Sequence, residues 1–179
     1  VFSPTRQHRE AFAERMDETV EPEVTAVGDS ATAVAGADVV VTATNAREPV
    51  FDGADLTDGA HVTAMGQYHP KHRELDSTTV ARATYVPDLK ARTERDAGSY
   101  LQAIEEGAIE ADHVHAELGD VVAGTAAGRT SDDEVTVFDS GGTAIETVAV
   151  AHMLYERAAE RGRGEELAFA PASEAMPGR

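Results

Sequence analysis

A strand, a glycine pair and a helix start follow one another without a break in Val135-Thr136-Val137-Phe138-Asp139-Ser140-Gly141-Gly142-Thr143-Ala144-Ile145-Glu146. Val135, Val137 and Phe138 are β-branched or aromatic, as a packed strand requires. Gly141-Gly142 admits positive φ and the close approach of another backbone or a ligand. Thr143-x-x-Glu146 is a capping-box pattern that starts a helix. Open α/β sheets bind ligands where a strand ends in small polar residues before such a turn. An ordinary strand-to-helix turn is the competing reading.

Other segments repeat the alternation. Ala37 to Thr44 is a continuous apolar run, the pattern of a strand buried on both faces of a parallel sheet. His61 to Gly66 and Ala83 to Asp88 read as further strands, and Val24 to Val27 as a short one. Val1-Phe2-Ser3 reads as the end of another. Helices are expected over Arg6 to Met16, Ala31 to Ala35, Glu74 to Arg82, Lys90 to Gly107 with a break at Gly98, Glu117 to Ala123, and Thr143 to about Arg161. Strands alternating with helices at this spacing give βαβ units and a doubly wound parallel sheet. Residues 165–179, rich in Ala, Glu and Pro, read as a flexible tail.

The 33 acidic residues against 15 basic ones give a net charge of -18. That charge repels nucleic acid. An acidic surface with only Lys71 and Lys90 as lysines suits a high-salt cytoplasm. No run is long enough to span a membrane. With no cysteine, thiolate metal sites and a cysteine nucleophile are excluded. Val1 opens directly on apolar sequence, so an upstream part is expected.

In a dinucleotide-binding Rossmann sheet, an acid at the end of the second strand binds the ribose 2′-hydroxyl of NAD. The strand end here is Ser3-Pro4-Thr5-Arg6, with no acid. That favours NADP or a permissive site; a helix cap with a solvated Arg is the alternative. The glycine fingerprint and first strand of such a sheet are expected upstream of Val1. Thr42 and Thr44 leave room for adenine or ribose and offer hydroxyls. Gly66 suits close approach of a nicotinamide, or is a turn glycine. Asp139, beside the glycine turn, is the carboxylate best placed for a ligand contact. His69-x-x-His72 with Glu74, and His113-x-His115, have loosely metal-like spacing. Pro70 spoils the first pair, and solvated or capping histidines are the preferred reading.

The series Ala37 to Thr44, Pro49-Val50, Gly59 to Gly66, Pro70 with Arg73-Glu74-Leu75-Asp76, Glu117 to Gly124, Gly128-Arg129 and Val137 to Glu146 resembles the ornithine cyclodeaminase/mu-crystallin family, in order and over nearly all of residues 1–164. The resemblance implies a Rossmann domain over residues 1–142 that binds NAD or NADP. It implies that residues 143–164 form a C-terminal helix joining a substrate and dimerisation domain, and that the full-length protein is a homodimer. Ser3, Thr5, Thr42, Thr44, Gly66 and Ser140 fall where the family contacts the cofactor. The implied chemistry is hydride exchange at the α-carbon of a small amino or imino acid, as in ornithine cyclodeaminases, alanine dehydrogenases and ketimine reductases. Tyr68 stands where cyclodeaminases and some alanine dehydrogenases carry an aspartate. It is a candidate catalytic proton donor, with packing as the alternative, and its presence puts ornithine cyclodeamination itself in question. A mu-crystallin-like binding protein and an inactive truncated remnant are the other readings.

Overall fold

The computed structural model describes residues 1–165; the expected tail falls almost wholly outside the described residues. The chain divides into two compact units, Val1–Gly142 and Thr143–Arg179.

In the first unit four strands form one parallel sheet: β1 (Val39–Thr42), β2 (His61–Ala64), β3 (Thr84–Pro87) and β4 (Thr136–Asp139). Their order across the sheet is β1-β2-β4-β3, so β4 returns between β2 and β3. The register aligns Val40, Val62, Val137 and Tyr85 in one row, and Thr42, Ala64, Asp139 and Pro87 in the row at the C-terminal ends. Because side chains alternate along a strand, these two rows share one face. That face is buried against a core built from Leu75, Val80, Tyr100, Ala103 and Ile109. The helices of the unit are α1 (Arg6–Asp17), α2 (Ser30–Val34), α3 (Ser77–Arg82), α4 (Lys90–Asp96), α5 (Gly98–Glu105) and α6 (Leu118–Ala123).

The local punctuation follows from side-chain chemistry. The Asp29 carboxylate accepts the Thr32 N–H at 2.7 Å and starts α2. Asp76 does the same for Thr79 at 2.8 Å and starts α3, so the helix expected from Glu74 begins three residues later. Between α4 and α5, a Cβ at Gly98 would lie 2.0 Å from the His72 carbonyl oxygen; only glycine lets the chain pass there. Gly124 ends α6 with φ +74°, a left-handed cap.

Two expectations require correction. The Ala37–Thr44 run is not covered on both faces: Val39 and Val41 are 61% and 60% exposed. β1 is the edge of the sheet, and its second face lines a cleft instead of packing. Val1–Ser3 and Val24–Val27 are not strands. The Val27 N–H donates to the Val1 carbonyl at 3.0 Å, but a strand needs a continuous ladder, and the cleft separates Val1–Ser3 from β1.

The second unit contains α7 (Ala144–Glu160). The Glu146 carboxylate accepts the Thr143 N–H at 3.1 Å, the expected start signal. Ile145, Val148, Leu154 and Tyr155 on this helix are exposed.

Candidate functional site

A cleft of about 1040 Å³ runs along the whole of β1, between it and Val1–Pro4, and reaches Met65 and Gly66 just past the end of β2. Ser3, Thr42, Thr44 and Gly66 line it, together with Phe2, Val39, Val41, Phe51 and Met65. Its walls thus combine an apolar surface with a few hydroxyls, the usual make-up of a small-molecule site. Thr42 Oγ1 is buried and has no hydrogen-bond partner among the described residues. Thr44 Oγ1 accepts the Ala46 N–H at 3.1 Å.

Gly66 is required by packing. A Cβ there would lie 2.1 Å from the Thr44 nitrogen and 2.3 Å from the Thr44 oxygen. Glu74 completes this corner. Its carboxylate, 2% exposed, accepts the Thr44 N–H at 2.6 Å and the Gly66 N–H at 2.8 Å. The sequence marks Glu74 as a helix start, part of a family motif and a neighbour of the metal-like histidine pair, but not as a cleft residue. The available signal was an acid directly before a core leucine, Leu75.

Thr5 and Arg6 lie outside the cleft lining, directly after Pro4, which belongs to it. Thr5 is the N-cap of α1, and Arg6 pairs with Glu10 at 2.7 Å. Arg9 is the cation that reaches back to the Val1–Ser3 segment, donating to the Ser3 carbonyl at 2.8 Å.

Asp139 and Ser140 are also outside the lining. The Ser140 N–H donates to the Ala64 carbonyl at 2.8 Å and extends the β2–β4 pairing. The Asp139 side chain turns into the core, where it accepts a hydrogen bond from the Tyr85 hydroxyl. It is 4% exposed, so the expected ligand contact through its carboxylate does not fit this geometry. Burial pushes its pKa up to about 7, against the Tyr85 hydrogen bond and with help from the charges of Asp88 and Glu74.

Tyr68 packs across the glycine turn: a Cβ at Gly141 would lie 2.6 Å from its ring. The Arg92 guanidinium sits 4.8 Å from the ring centroid and donates to the Gly142 carbonyl. The Thr93 hydroxyl donates to the Leu89 carbonyl at 3.2 Å, which leaves the Tyr68 hydroxyl to donate to Thr93 Oγ1 at 2.7 Å. Burial pushes the Tyr68 pKa well above the usual tyrosine value. Its proton is held, and the ring clamps the turn.

The histidines are engaged elsewhere. His69 and His72 stack with ring centroids 4.5 Å apart. The His113 and His115 rings are 2.8 Å from the carbonyls of Val80 and Ala127. No group of three potential metal ligands occurs among the described residues.

A four-stranded parallel sheet with helices between its strands is a Rossmann-type architecture. Residues 1–162 match the family model described as ornithine cyclodeaminase/mu-crystallin family, and the chain belongs to that family. A Δ1-pyrroline-2-carboxylate reductase from Bacillus cereus is 38% identical over 170 residues, covering 94% of this chain and 52% of that protein. The structure of the Thermococcus litoralis Δ1-pyrroline-2-carboxylate reductase in complex with NADH and L-proline superposes with a TM-score of 0.86. It is 35% identical, over 92% of this chain and 51% of that one. An archaeal alanine dehydrogenase dimer with bound NAD gives a TM-score of 0.79 at 32% identity, over 92% of this chain and 51% of that one. The chain therefore spans about half the length of the relatives it matches.

Proposed function

We propose that this chain supplies the dinucleotide-binding part of an NAD- or NADP-dependent enzyme that transfers hydride at the α-carbon of a small amino or imino acid. The observation that carries the reading is the cleft along β1, walled by Val1–Pro4, with Ser3, Thr42, Thr44 and Gly66 in its lining. Structures of relatives 35% and 32% identical to this chain, solved with NADH and with NAD, support it. Ser3 would take the ribose end, with Thr5 and Arg6 just outside the lining and no acid there to select NAD. Thr42, Thr44 and Gly66 would line the remainder. Asp139 and Ser140 would support the strand end from behind. The bound cofactor would supply the hydride.

Tyr68 argues against the lyase reaction of the cyclodeaminases. Tyr68 replaces their aspartate, and its hydroxyl is already spent on Thr93. A catalytic role for Tyr68 would have to come from a rearranged turn. Residues 143–164 would lead into the domain that makes the substrate pocket and the homodimer interface. No helix among the described residues is long and apolar enough to cross a membrane. With a net charge of -18, a high-salt cytoplasm without nucleic-acid partners is the setting that fits.

Titration of NADH and NADPH fluorescence with the purified chain tests the reading. Saturable binding of either is expected, without a large preference for the NAD form. No binding of either, or binding without turnover of any amino or imino acid by the longest natural polypeptide, overturns it.

A further inference from the structure

We propose that Glu74 is a positioning residue of the cleft: it locks the ends of β1 and β2 together and sets a negative charge behind two residues that line the cleft. The inference rests on the cofactor reading above. Three observations carry it. Glu74 is buried to 2% exposure and makes no ion pair with a lysine or arginine among the described residues. Each of its oxygens accepts one strand-end amide, Thr44 at 2.6 Å and Gly66 at 2.8 Å. Its own backbone is fixed independently: the Glu74 carbonyl accepts the Val50 N–H at 2.9 Å, and the next residue, Leu75, is in the core.

The chemistry calls for a carboxylate. A carboxylate only accepts, so it satisfies two facing N–H groups at once. A glutamine would turn its own NH2 against one of them and leave a buried donor unmet. The charge has a second effect. It already acts on neighbouring Asp139, and a buried charge is weakly screened. An oxidised nicotinamide is cationic and a reduced one neutral. With the nicotinamide at Gly66, as expected from the sequence, a charge behind Gly66 favours the oxidised form, an effect that simple bracing of the strands would not produce.

The test compares wild type with Glu74→Gln by NADH fluorescence and by NAD+ competition against it. Both affinities should weaken, about tenfold for NADH as one buried hydrogen bond is lost. NAD+ should weaken by a further factor of about three or more as the charge is lost. Equal affinities in the two proteins, or equal losses for NAD+ and NADH, overturn the proposal. Amide hydrogen exchange in wild type gives a readout that does not depend on the variant folding. The Thr44 and Gly66 amides should exchange slowly both free and with NADH, and rapid exchange of either overturns the proposal. A wild-type chain that binds no NADH while keeping both amides protected counts instead against the cofactor reading.

Discussion

The Tyr85 hydroxyl donates to Asp139 Oδ2 inside the core, joining the two neighbouring strands β3 and β4 by a side-chain bond as well as by their ladder. Asp139 ends the central strand, where a surface carboxylate would meet a ligand. Its burial instead makes it an acid with a pKa near 7, held by a tyrosine whose own pKa burial raises well above the usual value.

That arrangement gives the fold a pH dependence of definite sign. The folded pKa of about 7 lies above the ordinary carboxylate value, so the folded state binds the proton more tightly. The contribution is full below about pH 4 and is lost as pH rises toward 7, at no more than about 1.4 kcal/mol per pH unit. Above pH 7 it is flat. Asp139→Asn keeps an acceptor for Tyr85 but does not titrate. Urea midpoints of the variant should fall less than those of wild type between pH 4.5 and 7.5. Parallel curves would refute the assignment.

Gly66 offers a second test. The atoms a new methyl would meet are the backbone nitrogen and oxygen of Thr44, at 2.1 and 2.3 Å, and backbone cannot rotate away. Gly66→Ala must separate β1 from β2 at the cleft. A loss of about 1–3 kcal/mol, typical of overpacking, is expected in urea unfolding. Unchanged stability would mean that the strand ends are not in contact.

Much of this was legible in the residues, for reasons that differ by element. The four strands of the sheet stand out because β-branched runs end at glycine or proline, as at Gly66 and Pro87. The break at Gly98 and the stop at Gly124 were readable because glycine there answers a backbone need. The edge position of β1 was not readable, because Val39 and Val41 look the same whether covered or lining a cleft. Val24–Val27 has strand composition, yet pairing depends on a neighbour that composition does not reveal. Asp139 and Glu74 show the same limit for the site. Which way a carboxylate turns depends on Tyr85 and on the amides of Thr44 and Gly66, all distant in sequence or on another strand.

Tyr68 separates packing from proton donation. Tyr68→Phe keeps the ring against Gly141 and beside Arg92 and removes only the bond to Thr93. The expected loss is about 1 kcal/mol. Tyr68→Ala uncovers the glycine turn and should cost about 2 kcal/mol or more. NADH affinity should survive the first change and fall with the second. A Tyr68→Phe protein as unstable as Tyr68→Ala would place the weight on the hydroxyl instead.

Salt dependence follows from the charge. With 33 acidic and 15 basic residues, self-repulsion opposes the compact state. Several of the ion pairs are exposed, such as Arg6–Glu10 and Lys90–Glu94, and offset little of it. Raising ionic strength to the molar range shortens the screening length to about 3 Å and removes most of the repulsion. A gain of about 1–2 kcal/mol, or roughly 3–6 °C in melting temperature, is expected between 0.1 and 2 M KCl. The gain should be largest near neutral pH, where the exposed carboxylates are ionised, and should shrink at pH 4.5 as they begin to protonate. A melting temperature independent of KCl at pH 7 would count against a protein adapted to high salt.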